Sequence, residues 1–466
     1  MYYVEKLSDF YSNLSFEEIP EEVIRKARIS LFDFIIVLLA GKQYGVLTSV
    51  IESYVRNKGS EEDVYAFGLG VTTSDEHAAL AMGVISHSVE LDDGHRFGTA
   101  HPAVAIIPAV LATAYKNKSS FKEIIKAISI GYDMMLRLAR SINPSHLRRG
   151  FHSTGTCGAV GAAAAAATIH KFDSKKTMFS ISLGALHSSG LQEMLHSHPS
   201  IKAIQPGKAA QAGVFSTNLV SFGAKSPVSV FEGQHGWIKA MTDEFCEEDL
   251  MGELGSRWEI INTYTKLYPT CRHCHQAIDL AIDLFKSGYR LGEISTLNIY
   301  LYNVAISEVG QIKNPANFEQ AMFSVSYAVS IALKYGKVGI QELKNCIHDE
   351  DIINFSNYIN IIEDSEMNQK YPVERGSKIE MYLENNKNII LINKLPKGEY
   401  DTKLEDSDYL EKAKNVLLDV ATKETINEFW SIVVEEPIDK ADLYKIEEIF
   451  ERVGEKNGAT RYCTDN

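Results

Sequence analysis

A chain of 466 residues, 45% of them hydrophobic, can bury large cores and is long enough for about two or three domains. With 47 basic against 61 acidic residues its formal charge is -14, so it lacks the basic face that nucleic-acid binding requires, and an anionic membrane surface is disfavoured for the same reason. Six scattered cysteines in a chain of this length argue against a disulfide framework.

The opening stretch MYYVEKLSDFYSNLSFEEIP has no basic region followed by an apolar one, so no signal peptide is expected and the expected location is the cytoplasm. From Ser15 to about Lys225 the apolar residues recur at helical spacing. Ser15 and Glu18 stand at capping-box spacing ahead of a helix predicted over Val23–Leu39. Its apolar core, Ile29 to Ala40, contains Asp33 and is too short to span a bilayer, so it reads as a buried helix.

Next comes HSVELDDGHRFGTAHP, which gathers His87, Glu90, Asp92, Asp93, His95, Arg96 and His101. Carboxylates beside imidazoles fix tautomers and shift proton affinities, as general acid–base chemistry requires. The same side chains could bind a divalent metal, but no H-x-x-x-H spacing or aspartate-repeat loop is present, and no metal is expected. His101-Pro102 then opens AVAIIPAVLATAY, a buried helix in which Pro108 should introduce a kink. His152 lies in GFHSTG ahead of the alanine-rich run that ends near Ile169, whose Gly158 and Gly161 allow close helix approach. Lys202, with Gln205-Pro206-Gly207-Lys208, precedes AAQAGVFSTNLVSFG.

Lys266 and YPTCR precede HQAIDLAIDLF. Cys271, Cys274 and His275 there spell the C-x-x-C-H of covalent haem attachment. No second axial-ligand or export signal accompanies it, and the remaining cysteines, Cys157, Cys246, Cys346 and Cys463, stand alone without the second pair a structural zinc site needs. Neither haem nor zinc is expected. Four helices thus begin beside a His, Lys or Arg, where a cation is locally unfavourable by about 0.3–1 kcal/mol and an anion is welcome. Repetition of that placement points to a multiply anionic ligand. With no glycine-rich phosphate cradle, a small di- or tricarboxylate fits best.

After about Trp258 the pattern changes. TLNIYLYNV (296–304), KIEMYL (378–383) and NIILI (388–392) read as strands, and helical periodicity resumes after Asp406. The predicted organisation is a helical domain over residues 1–263 and 399–466, with an α+β domain over 264–398 between its two parts.

Taken together, ELDDGHRFGTAHPAVAIIPAVLA, GFHSTGTCGAVGAAAAAA, KAIQPGKAAQAG, SVFEGQHGW, KLYPTCRHCHQAIDLA, MFSVSYAVSIAL and LPKGEY resemble, in order, the MmgE/PrpD family. That family includes 2-methylcitrate dehydratases, cis-aconitate decarboxylases and iminodisuccinate epimerases. The resemblance implies a mainly α fold with a smaller α+β lid domain, a cofactor-independent homodimer, and a small polycarboxylate substrate. By motif match it places Asp93, His101, His152, Lys202, Lys266, His275 and Tyr327 at the site. His101, Lys202, His152, Asp93 and Tyr327 are read as catalytic, and Lys266, Arg272, His275, Lys208, His95 and Arg96 as substrate-binding. Gly94 replaces the threonine usual after the paired aspartates, and Gln205 stands where a histidine is common. The expected activity is that of a lyase, hydro-lyase or carboxy-lyase; the alternatives are an epimerase using the same proton abstraction and a binding protein without turnover.

Overall fold

The computed structural model describes residues 1–58, 64–194, 199–385 and 387–462; Cys463 lies outside them. The chain forms two compact units. One comprises Met1–Ser88, Asp92–Thr263 and the chain from Leu417 onward; the other comprises Val89–Leu91 and Tyr264–Val416.

The first unit is almost wholly helical. The backbone N–H of Ser15 donates to Glu18 Oε2 at 2.7 Å, closing the turn Phe16–Glu18 ahead of helix α1, Glu21–Tyr44. Helix α1 buries its stretch from Ile29 to Gly41, Asp33 included. A short hairpin of β1, Val64–Ala66, and β2, Val71–Thr73, interrupts the helices. Strands of three residues are too short to register as alternation in the sequence. Helix α2 spans Asp75–His87, α3 Ala103–Asn117, α4 Phe121–Ile142, α5 Ser153–Ile169 and α6 Ile204–Ser221.

Close approach of α2, α3 and α6 sets the positions of the polar residues at their ends. Pro108 sits inside α3 without ending it; its missing N–H leaves the Val104 carbonyl without its helical donor. A Cβ on Gly83 of α2 would lie 2.8 Å from that carbonyl oxygen and 2.7 Å from Gly207 Cα of α6. Only glycine at both positions lets the three backbones meet. As a result His87 at the end of α2, His101 just before α3 and Lys202 just before α6 are held by one packed joint.

After Leu417 the chain completes the same core. Trp430 packs edge-on to Phe32 with ring centroids 5.0 Å apart. The Arg28 guanidinium donates to the carbonyls of Val433 and Glu436, both at 2.6 Å. Among the described residues no single helix is long and apolar enough to cross a membrane.

The second unit is mixed. Helix α7, Arg272–Lys286, and helix α8, Val325–Tyr335, accompany a four-stranded sheet. Its strands are β3, Ile294–Leu301, β4, Ile359–Glu363, β5, Ser377–Leu383, and β6, Asn388–Asn393. The order is β4-β3-β5-β6, parallel between β4 and β3 and antiparallel elsewhere. Leu297, Ile299 and Leu301 of β3 and Ile379, Met381 and Leu383 of β5 alternate inward and are buried. Strand β4 escapes a sequence reading because INIIE follows directly on the helix Glu350–Tyr358 and carries no turn signal. Val304, placed in a strand by sequence, lies instead in the helix Asn303–Val309.

Residues 399–416, assigned by sequence to the helical domain, belong to the second unit. Thr265 N donates to Gly398 O at 3.0 Å, and Lys412 of α9, Asp406–Val416, donates to Leu91 O at 3.1 Å. A helical period says that a helix is present but not which core it joins.

Candidate active site

The first unit gathers its chemistry around Asp92. His101 Nδ1 lies 2.7 Å from the Asp93 carbonyl and 3.1 Å from Asp92 Oδ2. Both are acceptors, so Nδ1 carries the proton and Nε2 keeps its lone pair. His87 Nδ1 meets the same Asp92 oxygen at 3.0 Å, and the rings of His87 and His101 have centroids 5.1 Å apart. His101 is the most accessible of the three, with 14% of its side chain exposed against 0% for His87 and 1% for Asp92.

His152 occupies the N-cap position of α5 and is buried. Burial holds its imidazole well below the usual histidine range, and the nearby charges of Lys202, His87 and His101 push the same way. It is therefore neutral at neutral pH. Lys202 is also buried, in the turn Pro199–Ala203. The structure thus brings together His101, His152 and Lys202 from the sequence reading and adds His87 and Asp92 to them.

Asp93, read as catalytic from the resemblance, has its carboxylate engaged by a backbone N–H and a hydroxyl. Its Oδ1 accepts the Ala103 N–H at 3.0 Å, capping α3, and its Oδ2 accepts the Tyr132 hydroxyl at 2.9 Å. Burial pushes this carboxyl up to about 7. Its backbone carbonyl, not its side chain, reaches His101. His95, read as substrate-binding, has Nδ1 accepting from Gly98 N at 2.9 Å and Nε2 meeting Glu259 Oε2 at 3.1 Å. Arg96 is buried with its guanidinium 4.8 Å from the Phe97 ring centroid. Lys208 is exposed on α6 and bonds Gln211 at 2.6 Å.

The second unit holds its own buried cations. Lys266, fully buried, donates to both the carboxylate and the carbonyl of Glu90 at 3.0 Å. Glu90 reaches both contacts through a left-handed backbone, φ 49, an uncommon state for a residue with a Cβ. Arg272 opens α7 and donates to Lys397 O at 3.0 Å, Glu399 Oε1 at 3.2 Å and His275 Nδ1 at 3.1 Å. Because a guanidinium only donates, His275 Nδ1 is an acceptor. Burial, then Arg272 and Lys266, hold His275 well below the usual range. Tyr327, read as catalytic from the resemblance, has a buried hydroxyl that donates to Leu343 O at 3.1 Å, and the titratable groups near it include Cys346, Asp349 and Tyr335.

Among the described residues, two groups offer metal-ligand atoms within 4.8 Å of one another: His87, Asp92 and His101, and Cys271, His273 and Glu308. In the second group Cys271 Sγ is 3.5 Å and His273 Nε2 3.6 Å from Glu308 Oε2, while His273 Nδ1 bonds the Tyr302 hydroxyl. These donor sets suit a divalent cation. The first, with its fixed imidazole tautomer and adjacent lysine, also suits proton transfer without one.

Asp92, His87 and Glu90 stand in the acidic stretch HSVELDDGHRFGTAHP, yet spacing alone does not single them out. Which of two adjacent carboxylates faces an imidazole depends on backbone direction, and spacing does not encode it.

Comparison with known proteins matches residues 5–247 to the MmgE/PrpD N-terminal domain and residues 268–435 to the MmgE/PrpD C-terminal domain. A "Cis-aconitate decarboxylase-like protein oryM" of Aspergillus oryzae is 22% identical over 451 residues, covering 90% of this chain and 92% of the relative. A "Cis-aconitate decarboxylase" of Aspergillus terreus is 25% identical over 347 residues, covering 69% and 70%.

Proposed function

Because the chain belongs to the MmgE/PrpD family, we propose that it is a lyase acting on a small di- or tricarboxylate, with proton transfer centred on His101. The observation that carries this reading is the double constraint on His101 Nδ1 by Asp92 and the Asp93 carbonyl. It leaves Nε2 as a base and gives the imidazolium formed on protonation a buried counter-charge. The cis-aconitate decarboxylases among its relatives favour a lyase over an epimerase.

In a hydro-lyase reaction His101 Nε2 takes the proton from carbon, and the hydroxyl departs as water with a proton from Lys202. In decarboxylation the carbon–carboxylate bond breaks, CO2 leaves, and the electron pair on carbon takes a proton from the same acid. Both routes place negative charge beside a carboxylate, and fixed cations stabilise it. Lys266 and Arg272 are assigned to substrate carboxylates; since Lys266 is already paired with Glu90, that role exchanges one carboxylate for another. Cofactor independence and homodimeric assembly accompany this proposal on the strength of the family resemblance.

The test is proton NMR in D2O with citrate-like, aconitate-like and amino-dicarboxylate compounds. New alkene signals or loss of a carboxyl group are the expected result. Exchange at one carbon with no net conversion overturns the lyase reading in favour of an epimerase.

A further inference from the structure

His152 Nδ1 lies 2.6 Å from Gln205 Oε1. The other end of that amide fixes which atom is which: Gln205 Nε2 donates to Leu191 O at 2.8 Å and stands 3.6 Å from Met194 Sδ. Neither of those can donate, and turning the amide over would set carbonyl oxygen against carbonyl oxygen. The amide oxygen therefore faces His152. Since it has no proton to give, His152 Nδ1 bears the hydrogen and Nε2 the lone pair.

The surroundings hold this arrangement in place. His152 N donates to Gly190 O at 3.1 Å and Gln192 N to Gly150 O at 2.9 Å, so the segment carrying the Leu191 carbonyl is tied to the segment carrying the imidazole. Gly190 has φ +149, and a Cβ there would lie 3.0 Å from Gln205 Oε1. Among the described residues, the charged and titratable groups facing His152 are Lys202, His87 and His101, and Gln205 is uncharged at any pH.

We propose that Gln205 is a positioning residue that locks His152 in its Nδ1–H tautomer, so that Nε2 serves only as an acceptor beside Lys202 and His101. This rests on the lyase reading for its catalytic meaning but not for its structural content. A neutral imidazole that cannot change tautomer cannot pass a proton through the ring. His152 thus receives a hydrogen bond and does not relay protons, and proton traffic stays with His101 and Lys202.

The experiment combines long-range 15N–1H correlation spectra of histidine-labelled protein, assigned with His152→Asn, and pH profiles of kcat/KM. The parent should show His152 in the Nδ1–H form across the neutral range. Gln205→Glu keeps the shape but sets an anion against Nδ1, so the His152 titration should move up by about one pH unit or more, and the acid limb of the rate profile with it. Gln205→Met removes the acceptor; kcat should fall roughly tenfold with little change in KM, and a mixture of tautomers should appear. An Nε2–H spectrum in the parent overturns the proposal. So does a folded Gln205→Glu protein whose His152 titrates where the parent's does. If no polycarboxylate is turned over, the lyase reading fails while the spectra still decide the tautomer.

Discussion

Asp92 and Asp93 are neighbours with different duties. Asp92 stands between two imidazoles, whereas Asp93 caps a helix and takes the Tyr132 hydroxyl. Their substitutions should separate cleanly. Asp92→Asn removes the anion that holds the His101 proton and stabilises its charged form, so kcat should fall by roughly a hundredfold or more, as for His101→Ala, with a smaller change in KM. Near-normal kcat in both variants, with the fold intact, would remove His101 from the mechanism. Asp93→Asn should act on stability. Its carboxyl ionises near 3.8 when unfolded and near 7 when folded, so between those values the folded state holds the extra proton. Its stabilisation is complete below about pH 4 and is lost as pH rises through about 7, with a slope of at most about 1.4 kcal/mol per pH unit. Urea titrations of Asp93→Asn at pH 5 and pH 8 should show a smaller difference than the parent. At this scale the sequence places His101, His152 and Lys202 near helix starts, and the structure has them there. Which of Asp92 and Asp93 faces an imidazole was not legible, because it lies in the path of the loop between α2 and α3.

At the scale of elements, the joint of α2, α3 and α6 is where sequence composition becomes geometry. Gly83 and Gly207 pack backbone to backbone, and a Cβ on Gly207 would fall 2.6 Å from Leu80 O and 2.6 Å from Val84 Cγ2. Gly207→Ala is favourable for an isolated helix, yet here it must push α2 and α6 apart. We expect a net loss of about 1–3 kcal/mol by chemical denaturation, and a drop in kcat, because His87 and Lys202 lie at the ends of the displaced helices. A more stable Gly207→Ala protein would contradict the joint. The helices were legible because their apolar period is strong and their capping residues are ordinary. Strand β4 and the β1–β2 hairpin were not, since three to five residues give too few repeats to tell a period of two from background.

At the scale of the molecule, the first unit is closed by chain that arrives last. Leu417, Phe429, Trp430 and Val433 are buried, and Arg28 near the start of α1 spends its guanidinium on carbonyls of that segment. Truncation after Val416 should therefore unfold the first unit, seen as loss of the cooperative helical transition in circular dichroism. A truncated protein that keeps the parent's thermal midpoint would show that the segment is dispensable. By periodicity the return to the helical core reads as starting near residue 399, whereas the chain groups with the first unit from Leu417 onward; α9 looks the same whichever core it serves.

The tripeptide Val89–Leu91 groups with the second unit although Ser88 and Asp92, on either side, belong to the first. This has a consequence for inheritance. A gene segment for 264–416 exchanged with that of a distant relative would carry Lys266 away from the Glu90 it pairs with, leaving each buried charge to meet a stranger. Such chimeras would survive only where both parents had already settled on the same acid and the same base. Recombination between members of this lineage is therefore expected to be productive when it moves the whole gene, and to fail when it treats the second unit as a cassette.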